Sequence, residues 1–432
     1  MRKRRIPGSW DYLLDHWDSL PRFFFLKKFL DETRGGVTPK TNTSAALNDK
    51  NGAAVLRRLL GAISACLGLT SILVRLMWAP KGLPVVFNHT SRVRRINGGR
   101  RPLYLSPKIN SEKIVIFEDR EADYQYEGDV RQYQSSYVTR SCHMGSFLLG
   151  VFLNRKSVTD RDILAFVISR ECWRLIFRLL RPSCIRLFVW YGKESIVAAA
   201  KSLGIEVADI QHGIIYKSHP FYNISKIENS PDIEYLLPDK CFVYGEYWRS
   251  LLTRTGWHPS KVQVVGYFLD IELGNAKLLS QPYILYSSQP NNSQTIIRHI
   301  RSIITQASTK GFKILIARHP SEQLNLYEDV VCGDMVQVVS EWDSYDLLRS
   351  CTVHLSVSST LLWEAMLFEK SSYVLDYGRE AVDLLSDFID YGYGRIIRDG
   401  EFPLPFKLPT DPPVSYFFST NVDTSLMLGK KM

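Results

Sequence analysis

The sequence predicts an α/β fold: two parallel-sheet domains facing a cleft, preceded by a basic helical extension. Three observations predict it. From residue 185 onward, short apolar runs alternate with amphipathic ones at strand–helix–strand spacing, which means a parallel sheet covered by helices. The alternation pauses at 270–282 (DIELGNAKLLSQP), a linker, and then restarts. The positive charge is confined to one end: residues 1–101 hold 19 Lys/Arg against 6 Asp/Glu, and the remainder holds 35 against 38. The expected boundaries are 1–81 for the extension, 82–270 for the first domain and 271–432 for the second. A chain of 432 residues is long enough for two domains of about 100–200 residues. Its 45% hydrophobic and 23% charged content excludes disordered, collagen-like and coiled-coil classes.

The elements follow in order. MRKRR opens the chain, and the first 20 residues contain no apolar core region, so no secretory signal is expected. Residues 10–32 mix aromatic and charged side chains like amphipathic helices, and 35–52 form a polar linker. The run 59–78 (LLGAISACLGLTSILVRLMW) is long enough to cross a bilayer but holds Arg75. Three readings stay open for it: a single span, an interfacial helix, or a helix packed within the protein. LPVVFN (83–88) and KIVIFED (113–119) read as strands. IRLFVWYG (185–192), IEVADIQHG (205–213), DKCFVYG (239–245) and KVQVVG (261–266) continue the first sheet, with helices at 194–204 and 246–256 ending at Gly. A Gly there suits the left-handed position after a helix. The second sheet takes strands at 283–289, 312–320, 335–340, 352–359 and 371–377, with helices at 293–309, 343–350 and 360–370. Both halves are therefore Rossmann-like.

Ligands of open α/β sheets bind beyond the carboxyl ends of the strands. Those ends carry Gln211-His212-Gly213, Ser287-Ser288-Gln289, Arg318-His319-Pro320 and Ser358-Ser359-Thr360. The last group opens a helix, where unsatisfied backbone N–H groups and the positive dipole end favour a phosphate. Glu364, one turn further on, is placed to accept from ribose hydroxyls. His319 is placed to contact a phosphate or base edge. His212 is placed as general base, since its pKa lies near working pH. His219 is a further candidate for acceptor contact, and the acidic groups Glu118-Asp119 and Glu127-Gly128-Asp129 could hold a catalytic carboxylate. The sequence has no P-loop, HExxH, GxSxG or metal-spaced His/Cys cluster. Seven scattered cysteines without a CxxC pair point to reduced thiols and against a zinc site.

With strand-exit QHG in the first half, and His-Pro followed about 40 residues later by Ser-Ser in the second, the chain resembles GT-B glycosyltransferases. The nearest resemblance is to bacterial capsule and surface-polysaccharide enzymes using CMP-activated acidic sugars: sialyl-, polysialyl- and Kdo-transferases. It covers roughly residues 185–377. It implies that His319 and Pro320 hold the cytidine ribose-phosphate and that Ser358, Ser359 and Thr360 hold the phosphate. Polysialyltransferases carry an acidic pair before Gly as catalytic base, and the nearest match here is Tyr126-Glu127-Gly128. UDP-sugar 2-epimerases share the fold and a His-Pro but usually have Ser-Gly-Gly where this chain has Ser-Ser-Thr. Glycerophosphate polymerases combine similar motifs, which would make the donor CDP-glycerol.

The resulting expectation is a metal-independent glycosyltransferase without a cofactor, using a CMP-linked nucleotide-sugar as co-substrate. Ser287, Ser288, Arg318, His319, Pro320, Ser358, Ser359, Thr360 and Glu364 would bind the donor. Gln211 and His219 would bind a glycan or lipid-linked acceptor, and His212 or Glu127 would take its proton. The basic first quarter would dock on the anionic inner face of the cell membrane; with few interleaved aromatics and no known module, it is not expected to bind nucleic acid. A non-catalytic scaffold of a polysaccharide assembly complex is the rival reading.

Overall fold

The computed structural model describes residues 52–88, 93–96, 99–102, 113–119, 130–152, 158–226, 234–267, 281–289, 292–319, 322–339, 343–375, 384–427 and 429. Helix α1 (Gly52–Met77) leads to β1 (Val85–Asn88), the hairpin β2 (Val93–Ile96) and β3 (Gly99–Pro102), then β4 (Ile114–Glu118) and β5 (Val130–Gln134). Helices α2 (Ser135–Phe152) and α3 (Val158–Leu180) precede β6 (Ile185–Phe188), α4 (Glu194–Ser202), β7 (Val207–Ile210), β8 (Lys240–Val243), α5 (Glu246–Arg254) and β9 (Val262–Val264). Seven strands pair in the order β5-β4-β1-β6-β7-β8-β9, all parallel.

The second half holds β10 (Tyr283–Ser287), α6 (Ser293–Thr309), β11 (Lys313–Ala317), β12 (Val336–Val339), α7 (Ser344–Ser350), β13 (Val353–Ser356), α8 (Leu361–Glu364), β14 (Ser371–Leu375), α9 (Ser386–Asp390) and β15 (Gly394–Ile397). Its sheet runs β12-β11-β10-β13-β14-β15, again all parallel. In each sheet the first strand lies inside and the order reverses beside it, as in the doubly wound Rossmann fold. The two-domain α/β architecture is as expected.

The central strands form because they are predominantly apolar, as burial on both faces requires; β1, β4, β6, β7 and β10 are buried at every position, including one polar or charged residue in each (Asn88, Glu118, Arg186, Asp209 and Ser287). Helices α4 and α5 stop where expected: Gly204 and Gly256 adopt φ of +70° and +105° just beyond them. The expected 360–370 helix is shorter. One α turn at Leu361–Glu364 continues as a 3₁₀ turn at Ala365–Phe368. All seven cysteines are free thiols.

Two expected boundaries move. Helix α1 is part of the first domain, because Ile72, Leu76 and Ala79 lie in one core with β1, β4 and Trp173. A Cβ on Gly68 would sit 2.6 Å from the Tyr137 ring, so only glycine lets α1 approach α2 this closely. Among the described residues no helix is long and apolar enough to cross a membrane. At the other end, α10 (Val414–Phe417) and α11 (Thr424–Met427) leave the second sheet for the first. Trp248 Nε1 donates to the Phe417 carbonyl at 2.8 Å, Ser419 N to Tyr244 O at 2.9 Å and Tyr267 N to Ser419 O at 2.8 Å. Gly266, at φ +82°, is required by this return, since a Cβ would lie 2.3 Å from Asn421 O. The expected amphipathic helices at 10–32, the polar linker at 35–52 up to residue 51, and residues 270–280 of the linker at 270–282 lie outside the described residues.

Candidate functional site

In the second sheet the strand order reverses between β10 and β13, which makes their carboxyl ends the natural ligand crevice. Ser356 Oγ donates to Ser287 O at 2.6 Å and ties the two ends together. Ser287 itself is not a donor contact. Its hydroxyl is buried in the sheet, 2.9 Å from His354 Nε2, while His354 Nδ1 lies 3.3 Å from Ser372 Oγ. Burial lowers the His354 pKa to about 3, so the ring is neutral.

The next residue faces the loops. Ser288 Oγ donates to the Glu322 carboxylate and accepts from His319 N at 2.8 Å. His319 N also donates to Glu322 Oε2 at 3.0 Å, and Tyr327 OH donates to Oε1 at 3.2 Å. The loop after β11, which carries His319, is thus braced against the loop after β10. Glu322 is the residue sequence reasoning missed; the signal was a carboxylate three places after His319, within reach of its backbone N–H. Arg318 Nη1 donates to the carbonyls of His319 (3.3 Å) and Glu322, closing the same loop. Pro320 lies outside the described residues.

Ser358 Oγ donates to Gln289 Oε1 at 3.0 Å, joining the loops after β13 and β10. Ser359 Oγ accepts from Leu361 N at 3.2 Å, a local turn contact. Thr360 precedes α8 without capping it through its side chain. The brevity of α8 weakens the dipole argument made from sequence. Helix α6 is longer, 17 residues, and begins at Ser293 after β10 with no side-chain cap from Asn292. Its first N–H groups have no partner within the helix. Glu364 departs from its expected ribose role: it is buried and accepts from Tyr267 OH at 2.9 Å and Tyr345 OH at 3.1 Å. Tyr267 follows β9, so this carboxylate braces one half against the other.

At the first sheet, Gln211 is buried and its carboxamide is spent on the backbone. It donates to Gly213 O at 3.0 Å and accepts from Tyr244 N at 2.9 Å, which overturns its acceptor role. His212 Nε2 lies 3.3 Å from Tyr191 OH, and Tyr191 stacks on Phe221 with centroids 4.5 Å apart. His219 is buried among Tyr216 and Tyr222 and accepts from Phe221 N through Nδ1 at 3.3 Å. Glu127 lies outside the described residues. Glu118 is fully buried against Asn88, whose Nδ2 lies 3.2 Å from both carboxylate oxygens. Deeper still, Asp209 accepts from Trp190 N at 3.0 Å and Tyr222 OH at 2.7 Å. Burial raises its pKa to about 7 and lowers that of Lys193 to about 8. Lys193 Nζ donates to Phe188 O and Val189 O at 3.0 and 2.7 Å, holding Val189 at φ +74°, a costly angle for a β-branched residue. Among the described residues, no group of three or more His, Cys, Asp or Glu side chains could hold a metal ion.

Similarity to known structures is one of paired α/β sheets. The S. aureus MnaA–UDP co-structure aligns at 11% identity and TM-score 0.47, covering 74% of this chain and 84% of that one. UDP-GlcNAc 2-epimerase from Neisseria meningitidis, bound to UDP-GlcNAc, aligns at 13% identity and TM-score 0.45, covering 73% and 88%. CalG4, the calicheamicin glycosyltransferase, aligns at 11% identity and TM-score 0.45, covering 73% and 86%. These are likenesses of fold at low identity, and no residue role is taken from them. No family model matches the sequence, and no curated protein matches it.

Proposed function

We propose that the chain is a metal-independent glycosyltransferase that moves a sugar from a nucleotide donor, CMP-activated by the motif resemblance, to a surface-polysaccharide or lipid-linked acceptor. The observation that carries this reading is the reversal of strand order between β10 and β13, with Ser288, Ser358 and His319 on the loops beyond the strand ends and the start of α6 following β10. Hydroxyls, an imidazole and unsatisfied N–H groups are what a nucleotide phosphate needs. His319 and Ser358 are assigned to the donor, with Ser359, Thr360 and Pro320 beside them. Glu322 positions the His319 loop. His212, beside the Tyr191–Phe221 stack, is the better-supported proton acceptor, and His219 shapes that wall. The basic first quarter docks the enzyme on an anionic membrane surface.

The test is a thermal-shift screen against CMP, CDP, UDP, GDP and dTDP without added metal. A nucleotide at 100 times its Kd stabilises by about 2.7 kcal/mol. The expected result is a rise with CMP and loss of donor turnover in His319→Ala with the fold intact. A rise with CDP alone redirects the donor to CDP-glycerol, and no rise with any nucleotide favours the scaffold.

A further inference from the structure

One face of α1 is turned away from the protein. Leu67, Val74, Met77 and Trp78 are 66, 47, 56 and 81% exposed, whereas Ala65, Ile72 and Leu76 opposite them are buried. At 100° per residue Leu67, Val74 and Trp78 fall within a narrow stripe running roughly 16 Å along the helix. The stripe ends at an open hollow of about 560 Å³, lined by Arg75, Trp78, Val130, Arg131, Gln132 and Tyr133. Arg75 lies 4.8 Å over the Tyr133 ring and 3.5 Å from Gln132 O. Among the described residues neither Arg75 nor Arg131 forms an ion pair, and the described lining of the hollow holds two cations and no carboxylate. The sequence that contains α1 is likewise basic: between Asp49 and Glu112 there are eleven Lys/Arg and no acidic residue.

An apolar stripe one residue wide, ending in an exposed tryptophan beside unpaired arginines, matches the interfacial zone of a bilayer. There aliphatic groups enter the acyl boundary, tryptophan sits at headgroup level and arginine meets phosphate. The cationic hollow gives an apolar protein partner nothing to bind. We propose that this face of α1 docks the chain on an anionic phospholipid bilayer, with a lipid phosphate seated between Arg75 and Arg131 and Trp78 at the interface. This rests on the membrane part of the reading above and is independent of the donor.

The test is co-sedimentation of the full chain with phosphatidylglycerol/phosphatidylcholine vesicles and with pure phosphatidylcholine vesicles. The expected result is binding to the anionic vesicles, at least tenfold weaker in Leu67→Glu/Trp78→Glu. In Arg75→Glu/Arg131→Glu the preference for anionic vesicles falls by a similar factor. Brominated lipids should quench a component of tryptophan fluorescence that Trp78→Phe removes. These side chains lie at the surface, and an unchanged Tm confirms the fold. The nucleotide thermal shift is read on the same variants and should match the parent, so failed docking and a failed donor assignment are told apart. The proposal is overturned if both double variants bind anionic vesicles like the parent, which would leave docking to residues 1–51. It is equally overturned if the parent binds no vesicle, or if inorganic phosphate fills the hollow while vesicles do not.

Discussion

Asp209 and Lys193 lie close together at the first sheet's carboxyl edge, and burial, which disfavours the charge on each, moves their pKa values in opposite directions. Asp209 is shifted from 3.8 to about 7, so between those values the folded state binds more protons than the unfolded one. Stability therefore falls as pH rises through that window and levels off above about 7. Lys193 is shifted from 10.5 to about 8, so the unfolded state holds the extra proton and stability rises with pH from about 8 to 10.5. The carboxylate is retained because Trp190 N and Tyr222 OH need its oxygens. Asp209→Asn removes this contribution, so relative to the parent the variant should gain stability as pH rises from 4 to 7, measured by urea unfolding of both at half-unit steps. A parent-minus-variant difference that is constant across that range would show that Asp209 titrates normally. Residue-scale detail of this kind was only partly legible in the sequence. Placing Ser287, Ser288, His319 and Ser358 at strand ends was possible, because apolar runs ending in polar tips mark those ends. Which serine faces the crevice was not, because successive strand residues alternate sides; Ser287 meets His354 in the sheet and Ser288 meets the loops.

Strand β13 carries a third titrating group, His354, whose dependence is the reverse of that of Asp209. His354 bridges toward Ser287 on β10 and Ser372 on β14, so three adjacent strands share one polar chain inside an apolar sheet. Its pKa falls from 6.5 to about 3 on burial. Between those values the unfolded chain takes a proton that the folded chain refuses, so stability is lost as pH falls from about 6.5 toward 3, by about 1.4 kcal/mol per unit at most. His354→Asn keeps a donor and an acceptor without the titration. It should lose less stability than the parent between pH 6 and 4, read by chemical denaturation, and an equal loss would rule out His354 as the cause. The elements themselves were legible in proportion to their burial. Continuous apolar runs gave β1, β4, β6, β10 and β13, and α6 has the expected ends. The edge strand β5 (VRQYQ) is mostly polar and half covered, and β15 (GRII) offers only two adjacent apolar residues, so no apolar run announces them. The α2–α3 pair connects β5 to β6 as two successive helices and so lacks the strand–helix alternation on which the reading depended.

At the scale of the whole molecule, the core of the first sheet extends into the second half: it runs from Val85 and Phe117 to Trp363, Val374 and Phe388, with Phe417 between them. Strands β10 to β13 of the second sheet keep clusters of their own, around Ile284, Ile316 and Leu355 and around Leu285 and Leu315. Phe417 is fully buried, with ring centroids 5.0 Å from Tyr247, 5.5 Å from Trp363 and 5.3 Å from Tyr393. It therefore touches both halves from a segment that belongs in sequence to the second and in space to the first. Halves joined through a buried apolar seam unfold together, and a weakened seam lets them unfold in parts. Calorimetry of the parent should accordingly show a single transition. Phe417→Ala removes the ring at the seam at a cost of about 3–5 kcal/mol, and should lower and broaden that transition or divide it. The donor nucleotide then identifies the parts. In the parent it should raise the whole transition, because its binding energy is shared by both halves. In Phe417→Ala it should raise only the component belonging to the second sheet, where the crevice between β10 and β13 lies. Two transitions in the parent, or a Phe417→Ala transition that remains single at the parent's temperature, would show that the return of the chain does not couple the halves.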